Sequence, residues 1–191
     1  MTLRVGDVPV FYTPYLQFPL GDKRMSGFLV PSFGIGEDGF DLQTPYYVNL
    51  APNYDLLLTP RYITDRGLML GSHFRHKSEY TDSGFIANVL PSDSKAANGI
   101  DSDRWYMSAN HTGAAERWES LVDITAVSDK DYFHHFSNNG LRSSSNSQLR
   151  KEASFDYLPD NWRVGVEAKD FQTLSNSMVD PHEVMPSLFA D

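Results

Sequence analysis

The feature that most constrains this chain is a two-residue alternation of apolar and polar side chains over long segments. From Phe40 to Leu50 the even positions hold Phe, Leu, Thr, Tyr, Val and Leu, and the odd positions hold Asp, Gln, Pro, Tyr and Asn. The alternation returns in residues 148–158, where Lys151 is out of place, and in residues 162–169. Because successive side chains of a β-strand point to opposite faces, this period predicts strands. No stretch shows helical periodicity.

Turn-forming residues separate the alternating segments and predict an all-β, antiparallel meander. Two polar stretches, residues 91–103 and 137–147, are predicted to be longer loops, and residues 175–191 form an irregular tail or the start of a further strand. About ten strands are predicted, near residues 8–19, 25–34, 40–51, 55–64, 68–80, 85–91, 104–111, 118–128, 148–158 and 162–174.

Composition excludes several classes of protein. The formal net charge of -9 over 191 residues gives no basic footprint for a nucleic acid, and the absence of cysteine excludes a disulfide framework or a thiolate nucleophile. No run of about 18 apolar residues predicts a spanning helix, but a barrel strand needs only about 9 to 11 alternating residues. Residues 1–15 lack the apolar core and cleavage site of a secretory signal, so no signal peptide is expected in this chain.

Residues with metal-binding or catalytic chemistry form no recognisable site. On strands, the spacings of His73 with His76 and of His134 with His135 do not converge on one metal. No nucleophile elbow or glycine-rich phosphate loop is present. The sequence therefore predicts no enzyme, no metal and no cofactor. Two acidic pairs match no calcium-loop motif and are interpreted as solvated turns, namely Asp101 with Asp103 and Asp129 with Asp131.

Three predicted strands carry internal prolines, at Pro14, Pro31 and Pro45. Each proline lacks the N–H that a ladder hydrogen bond needs. The prolines therefore mark edges and bulges, or they weaken a seam that is meant to open.

Two long motifs carry a resemblance to a known family. Residues 8–34, VPVFYTPYLQFPLGDKRMSGFLVPSFG, and residues 44–75, TPYYVNLAPNYDLLLTPRYITDRGLMLGSHFR, resemble the start of the barrel in the LptD family of lipopolysaccharide-assembly proteins. Their order and spacing are kept. Shorter stretches that also resemble the family follow at Leu90–Asp93, Asp103–Trp105, Val127–Asp129, Asp131–Phe133 and Lys169–Gln172.

The resemblance implies that residues 1–174 are part of a large transmembrane β-barrel in the outer membrane of a Gram-negative bacterium. It implies lipopolysaccharide transport and insertion at that membrane, without chemistry of the chain's own. The implied partners are lipopolysaccharide, outer-membrane lipid, an LptE-like plug lipoprotein, and periplasmic lipopolysaccharide-bridge proteins that bind through a jellyroll domain absent from this chain. No nucleic acid is expected.

The resemblance also implies a lateral gate between the first and last strands of the barrel, for which Pro14 and Pro31 are the candidate residues. An alternative stays open from the pattern alone, because alternation does not say which face points inward. A soluble β-sandwich or small barrel that binds an apolar ligand or glycan would show the same period.

Overall fold

The computed structural model describes residues 2–5, 8–12, 24–96, 101–136, 148–174 and 184–190, and most of them lie in β-strands. The elements are β1 (Thr2–Val5), β2 (Val8–Tyr12), β3 (Gly27–Phe28), β4 (Ser32–Gly36), β5 (Gly39–Gln43), β6 (Tyr46–Ala51), β7 (Tyr54–Ile63), β8 (Gly67–Lys77), β9 (Thr81–Leu90), β10 (Arg104–Ala115), β11 (Trp118–Val127), α1 (Tyr132–Phe136), β12 (Gln148–Tyr157), β13 (Val164–Thr173) and β14 (Val184–Ala190). No helix among these residues is long and apolar enough to cross a membrane.

The strands form two antiparallel sheets. β1 and β2 pair as a separate hairpin, and β3 to β14 form a 12-stranded sheet in which each strand from β7 onward pairs with the next along the chain. β5 and β6 both pair with β7, one along each half, and β4 and β3 pair in turn with β5 and β6. The predicted all-β antiparallel meander is confirmed.

Most predicted strands correspond to observed ones, with two interruptions. The strand predicted over residues 25–34 is divided into β3 and β4, and the strand predicted over residues 40–51 is divided into β5 and β6. Of the strand predicted over residues 8–19, only Val8–Tyr12 is described, and it pairs with β1. Within the tail, Val184–Ala190 forms β14 and pairs with β13 through an irregular register.

Two glycines allow tight connections at one end of the large sheet. Gly39 has a φ of 84° and closes the β4–β5 hairpin, while Gly67 has a φ of 127° where β7 turns into β8. L side chains rarely adopt these angles, so glycine is favoured at both positions. The short helix α1, which the sequence did not predict, lies at this same end and packs on β10.

The core lies on one face of the sheet, which we call the inner face, and at the end where α1 packs, which we call the α1 end. Side chains near the ends of β7 to β11 pack there against Tyr132, Phe133 and Phe136 of α1. The opposite end carries the turns at residues 52–53, 78–80 and 116–117. The other face, the outer face, has no such cover among the described residues.

The close approach of Trp118 to Gly113, on the outer face at the end opposite α1, provides a test of the packing between β10 and β11. A Cβ at Gly113 would lie 2.6 Å from Cζ3 of Trp118 and 2.5 Å from Oγ of Ser120. We therefore expect Gly113→Ala to displace the indole and to cost about 1–3 kcal/mol of folding free energy. The temperature at which the folded band disappears in heat-modifiable gel electrophoresis measures this loss. Gly34→Ala is the control because nothing lies within 4 Å of its Cβ, and equal midpoints for both variants would contradict the packing.

Candidate functional site

The outer face of the sheet is apolar and exposed. The register places Phe33, Leu68 and Phe85 on this face, with exposed fractions of 75%, 60% and 41%. A soluble monomer rarely exposes an apolar patch larger than a few hundred Å². This distribution disfavours the soluble sandwich, whose outward faces would be polar. Further exposed apolar residues of the same face are Ile35, Phe40, Leu70, Val89, Met107, Ile124, Phe155, Tyr157, Val166 and Leu188.

The apolar residues of the outer face form a band that runs diagonally across the strands. On β4 and β5 the apolar band reaches the α1 end, at Ile35 and Phe40. One row of residues that are paired from strand to strand starts with Phe74 on β8 and Phe85 on β9. The same row becomes charged on β12 and β13. There Lys151 Nζ lies 2.9 Å from Oδ2 of Asp170, and the apolar residues continue only toward the opposite end.

The slope of this band gives the tilt of the strands. When paired residues are followed from strand to strand, Phe40 on β5 lies opposite Thr64, the residue just after β7. Ala168 on β13 leads in the same way to Tyr54 at the start of β7, ten residues from Thr64. β5 and β13 are seven strand-to-strand steps apart. At about 3.3 Å per residue and about 4.8 Å per strand, the band lies at roughly 45° to the strands. A flat hydrocarbon layer crossing a barrel with strands tilted by about 35–45° requires this slope.

Beyond the apolar core at the α1 end, the inner face is polar. Arg61 makes a bidentate contact with Asp41, through Nε at 2.9 Å and Nη2 at 2.6 Å. Ser108 and Thr125 join their hydroxyls at 3.2 Å, and Asn88 lies one strand away from Ser108. One sheet thus separates an apolar outer surface from a polar inner surface, as a barrel with a hydrated interior does.

A β-bulge with several prolines interrupts the sheet at β3 to β6. Between the pairs Phe28 with Tyr46 and Ser32 with Gln43, residues 29–31 on one strand oppose residues 44–45 on the next. Leu29 N donates to Pro45 O at 2.9 Å, and Thr44 N donates to Pro60 O at 3.0 Å. Pro31, Pro45 and Pro60 can donate no backbone hydrogen bond. The structure therefore places Pro31 at this bulge, while Pro14 lies outside the described residues.

A buried ionic cluster joins the connections at the α1 end. Asp93 Oδ2 accepts from Arg66 Nη1 at 2.8 Å and from Arg104 Nη1 at 3.1 Å. Arg104 also binds both carboxylate oxygens of Asp129, at 2.7 and 2.8 Å, and Arg66 Nε donates to Asp38 at 2.7 Å. The side chains of Arg104 and Asp93 are 0% exposed. The cluster therefore links the β4–β5 turn, the β7–β8 turn and the segments that follow β9 and β11.

The helix α1 covers the cluster with aromatic rings. The Phe136 ring lies 5.2 Å from the Arg66 guanidinium carbon and 5.0 Å from that of Arg104, distances that allow cation–π attraction. His135 Nδ1 lies 3.1 Å from Arg104 Nη1. Burial and the charges of Arg66 and Arg104 lower the pKa of His135, so its neutral ring can accept this hydrogen bond.

Electrostatics keep the carboxylate at the edge of the cluster ionised. Burial by itself would raise the pKa of Asp38, but hydrogen bonds from Arg66 and Lys95 outweigh burial and hold this pKa below its ordinary value. Lys95 Nζ lies 3.2 Å from Asp38 and 2.9 Å from Asp65. The Asp38 carboxylate therefore stays charged at neutral pH and holds Arg66 in place.

The interpretation of Asp129 as a solvated turn residue is wrong, because its 12% exposed side chain binds the buried Arg104. Arg66, Asp93 and Arg104, which lie in or next to the family motifs, all meet in this cluster, and the sequence analysis did not predict the contact. The sequence feature that could have predicted it is that all three lie at strand ends on the same side of the meander. Asp101 and Asp103 do lie in an exposed turn, where Asp103 N donates to Asp101 at 3.1 Å.

The histidine pairs are not brought together as a metal site. The pairing of β8 places His73 on the inner face and directs His76 to the outer face. Over the part of the chain that the structure describes, no three His, Asp or Glu side chains are grouped so that they could hold a metal ion.

Charge substitutions along one outer-face row test the diagonal band. Phe85→Arg places a cation in the middle of the band, and we expect a cost of about 2–4 kcal/mol of folding free energy in the membrane. Lys151→Arg is the matched control because it lies in the same row beyond the edge of the band. Urea unfolding in lipid vesicles measures both, and similar midpoints for the two variants would contradict the band.

Removal of one cluster carboxylate tests the ionic cluster. We expect Asp93→Asn to cost about 3–5 kcal/mol, because Arg66 and Arg104 would stay buried with too few carboxylates. The exposed pair of Asp160 with Arg117, 3.7 Å apart, supplies the control Asp160→Asn, which should change stability by less than about 1 kcal/mol. Unfolding of both variants in urea gives the comparison. An Asp93 variant as stable as the control would show that the cluster is dispensable.

Comparison with known sequences finds relatives that match nearly the whole chain. The sequence model of the LptD family, described as LPS transport system D, matches residues 102–191. The LPS-assembly protein LptD of Sodalis glossinidius (strain morsitans) is 38% identical over 191 residues, which cover 97% of this chain and 24% of that protein. That of Pseudomonas aeruginosa (strain LESB58) is 41% identical over 195 residues, covering 100% of this chain and 21% of that protein.

A third relative, LPS-assembly protein LptD of Pseudomonas syringae pv. tomato (strain ATCC BAA-871 / DC3000), is 38% identical and covers 98% of this chain. The chain thus spans about a fifth to a quarter of the length of the curated relatives it matches. With 37–41% identity over nearly all of its residues, the chain belongs to the LptD family.

Proposed function

We propose that this chain takes part in the transport of lipopolysaccharide to the outer membrane of a Gram-negative bacterium and in its insertion there, as one segment of a larger translocon barrel. The observation that carries the proposal is the two-faced sheet with its diagonal apolar band. The relatives named LPS-assembly protein support the choice of cargo. The proposal assigns no catalytic step to the chain.

The two faces suit an amphiphilic cargo. Acyl chains need the hydrocarbon that the outer face contacts, whereas a saccharide needs the hydrated space beside the inner face. A molecule with both parts can leave a closed barrel into the membrane only where two strands separate. Separation is costly, because an unpaired backbone group in lipid costs several kcal/mol.

The lateral gate is proposed at the first strands, with Pro14 and Pro31 as its residues. The bulge at Pro31 supports the assignment. Between β3 and β4, the hydrogen bonding to the neighbouring strands β6 and β5 is already interrupted there. Pro45 and Pro60 on the next two strands also lack donors. Fewer hydrogen bonds must then be broken when the first strands move.

The proposed partners follow from the same geometry. The polar inner face provides a surface for an LptE-like plug lipoprotein, and lipopolysaccharide would arrive through a jellyroll domain fed by periplasmic bridge proteins. Within the described sheet, β14 and the β3–β4 edge each pair on one side only. In the proposal, further strands of a longer protein pair with these edges, since open edges in lipid would leave backbone groups unsatisfied.

Restoration of the missing donors tests the gate. In the complete protein, Pro14→Val with Pro31→Val should lower lipopolysaccharide delivery about tenfold, because two regained hydrogen bonds stabilise the closed seam by about 0.5–1.5 kcal/mol each. Surface labelling of newly made lipopolysaccharide measures delivery, and vancomycin sensitivity reports the resulting membrane defect.

The control is Pro159→Val, in the β12–β13 turn on the far side of the sheet, which should leave delivery unchanged. Folding of each variant is checked by heat-modifiable mobility. Unchanged delivery by a folded Pro14 and Pro31 double variant would overturn the gate assignment. A complete protein that delivers no lipopolysaccharide in any form would overturn the proposed function.

A further inference from the structure

A cavity of about 810 Å³ with several charged side chains in its lining lies at the end of the sheet opposite α1. Most of its polar lining comes from inner-face side chains of β6 to β8, together with Arg24, which precedes β3. The residues that matter for its chemistry are Arg24, Tyr47, Asp55, His73, Arg75 and Lys77. Its volume is sufficient for a small charged saccharide.

The charges that reach the solvent in this cavity are mostly positive. The side chains of Arg24, Arg75 and Lys77 are 58%, 54% and 78% exposed. Of the two lining carboxylates, Asp55 is only 7% exposed and lies beneath the arginines, whereas Asp82 is 54% exposed and pairs with Lys77 at 2.9 Å. The cavity therefore carries a formal charge of about +1 with neutral histidines, within a chain whose net charge is -9.

The buried carboxylate of Asp55 aims both guanidinium groups into the cavity. It accepts from Arg75 Nε at 2.8 Å and from Arg75 Nη2 at 3.0 Å, and Arg24 Nη1 lies 3.6 Å from it. Tyr47 OH donates to the same carboxylate at 3.2 Å, and Asn49 Nδ2 donates to Arg24 O at 3.1 Å. Asp55 occupies two of the five N–H donors of Arg75, so the rest of this planar group suits a phosphate or carboxylate.

The other half of the inner face has the opposite charge balance. On β11 to β13, Arg150 and Lys169 both pair with Glu152, at 2.9 and 3.3 Å. More carboxylates than cations lie on these three strands of the inner face, the carboxylates being Glu119, Asp123, Glu152, Asp156 and Glu167. An anionic group inside the barrel would be repelled from this half and attracted to the cavity.

We infer that this cavity is an anion-binding site that receives phosphate groups carried on a saccharide. The inference rests on the proposed function, since lipopolysaccharide transport would bring such groups past the inner face. Arg24 and Arg75 bind the anion, Lys77 adds positive charge at the rim, and Asp55 is the positioning residue for both arginines. Free inorganic phosphate has the same binding chemistry, so the experiment separates the two sources.

Photocrosslinking in the complete protein tests the site. A photoreactive amino acid replaces Asn53, which lines the cavity, and crosslinks to lipopolysaccharide are quantified in cells. Arg24→Gln with Arg75→Gln should lower the yield at least fivefold, whereas Arg24→Lys with Arg75→Lys should keep most of it. Arg150→Gln is the matched control, because Arg150 is a 53% exposed inner-face cation of the acidic half. Its yield should be unchanged.

Two further arms identify the ligand. Lipopolysaccharide from which phosphate has been removed should crosslink at least fivefold less to the purified protein in detergent. Excess inorganic phosphate should compete with intact lipopolysaccharide. A photoreactive residue at Glu119 in the acidic half should give a yield that is independent of the Arg24 and Arg75 substitutions.

The outcomes separate the inference from the proposed function. If the crosslink yield at Asn53 changed neither with the arginine substitutions nor with the removal of phosphate, the anion site would be overturned. The proposed transport function would not be affected by this result. Inorganic phosphate binding without any lipopolysaccharide crosslink would overturn the saccharide assignment. If the protein without arginine substitutions delivered no lipopolysaccharide and gave no crosslink at either Asn53 or Glu119, the proposed transport function itself would be overturned. Heat-modifiable mobility confirms that each variant is folded, and the removal of phosphate from the lipopolysaccharide keeps the charge test valid if the glutamine pair misfolds.

Discussion

Backbone pairing between neighbouring strands is the constraint on which the rest of this structure depends. A surface such as the outer face can contact hydrocarbon only if the N–H and C=O groups beneath it are already bonded across the ladder. The long, continuous registers from β7 to β13 provide this. The ladder is interrupted at the bulge of Pro31 and Pro45, and Pro31 of the proposed gate lies at this interruption.

The inner face is under a different constraint, because it carries charged side chains that must be kept away from lipid. At the α1 end, Arg66 and Arg104 are paired by carboxylates from separate connections and covered by Phe136. Such a buried cluster fixes the relative positions of turns that would otherwise be held only by their own strands. At the opposite end, Asp55 is buried and the arginines above it are exposed. Their guanidinium groups can therefore donate to the inferred anion as well as to Asp55.

The alternating segments, with residues 40–50 as the clearest example, and the turn-forming residues between them were sufficient to predict strands, their antiparallel order and an approximate count. It could not predict which face points outward, because a period of two is the same for a barrel and a sandwich. The helix α1 was missed because five residues are too few to show a helical period. The cluster of Arg104 and Asp129 was missed because its members are close only after distant strands have paired. The division of two strands near Pro31 and Pro45 was indicated by the prolines, but the bulge depends on the register between the strands.

The central claim is that the outer face meets hydrocarbon along a diagonal band while the inner face meets water. Because this chain contains no cysteine, single cysteines can carry spin labels at Phe85, Lys151 and Glu119 in the complete protein, in a background free of other cysteines. Glu119 is an exposed residue of the inner face. Relaxation by oxygen and by a water-soluble nickel complex would then be compared in lipid vesicles. The account predicts that oxygen dominates at Phe85 and that nickel dominates at Lys151, in the same row, and at Glu119. Equal oxygen and nickel accessibility at Phe85 and Lys151 would contradict it.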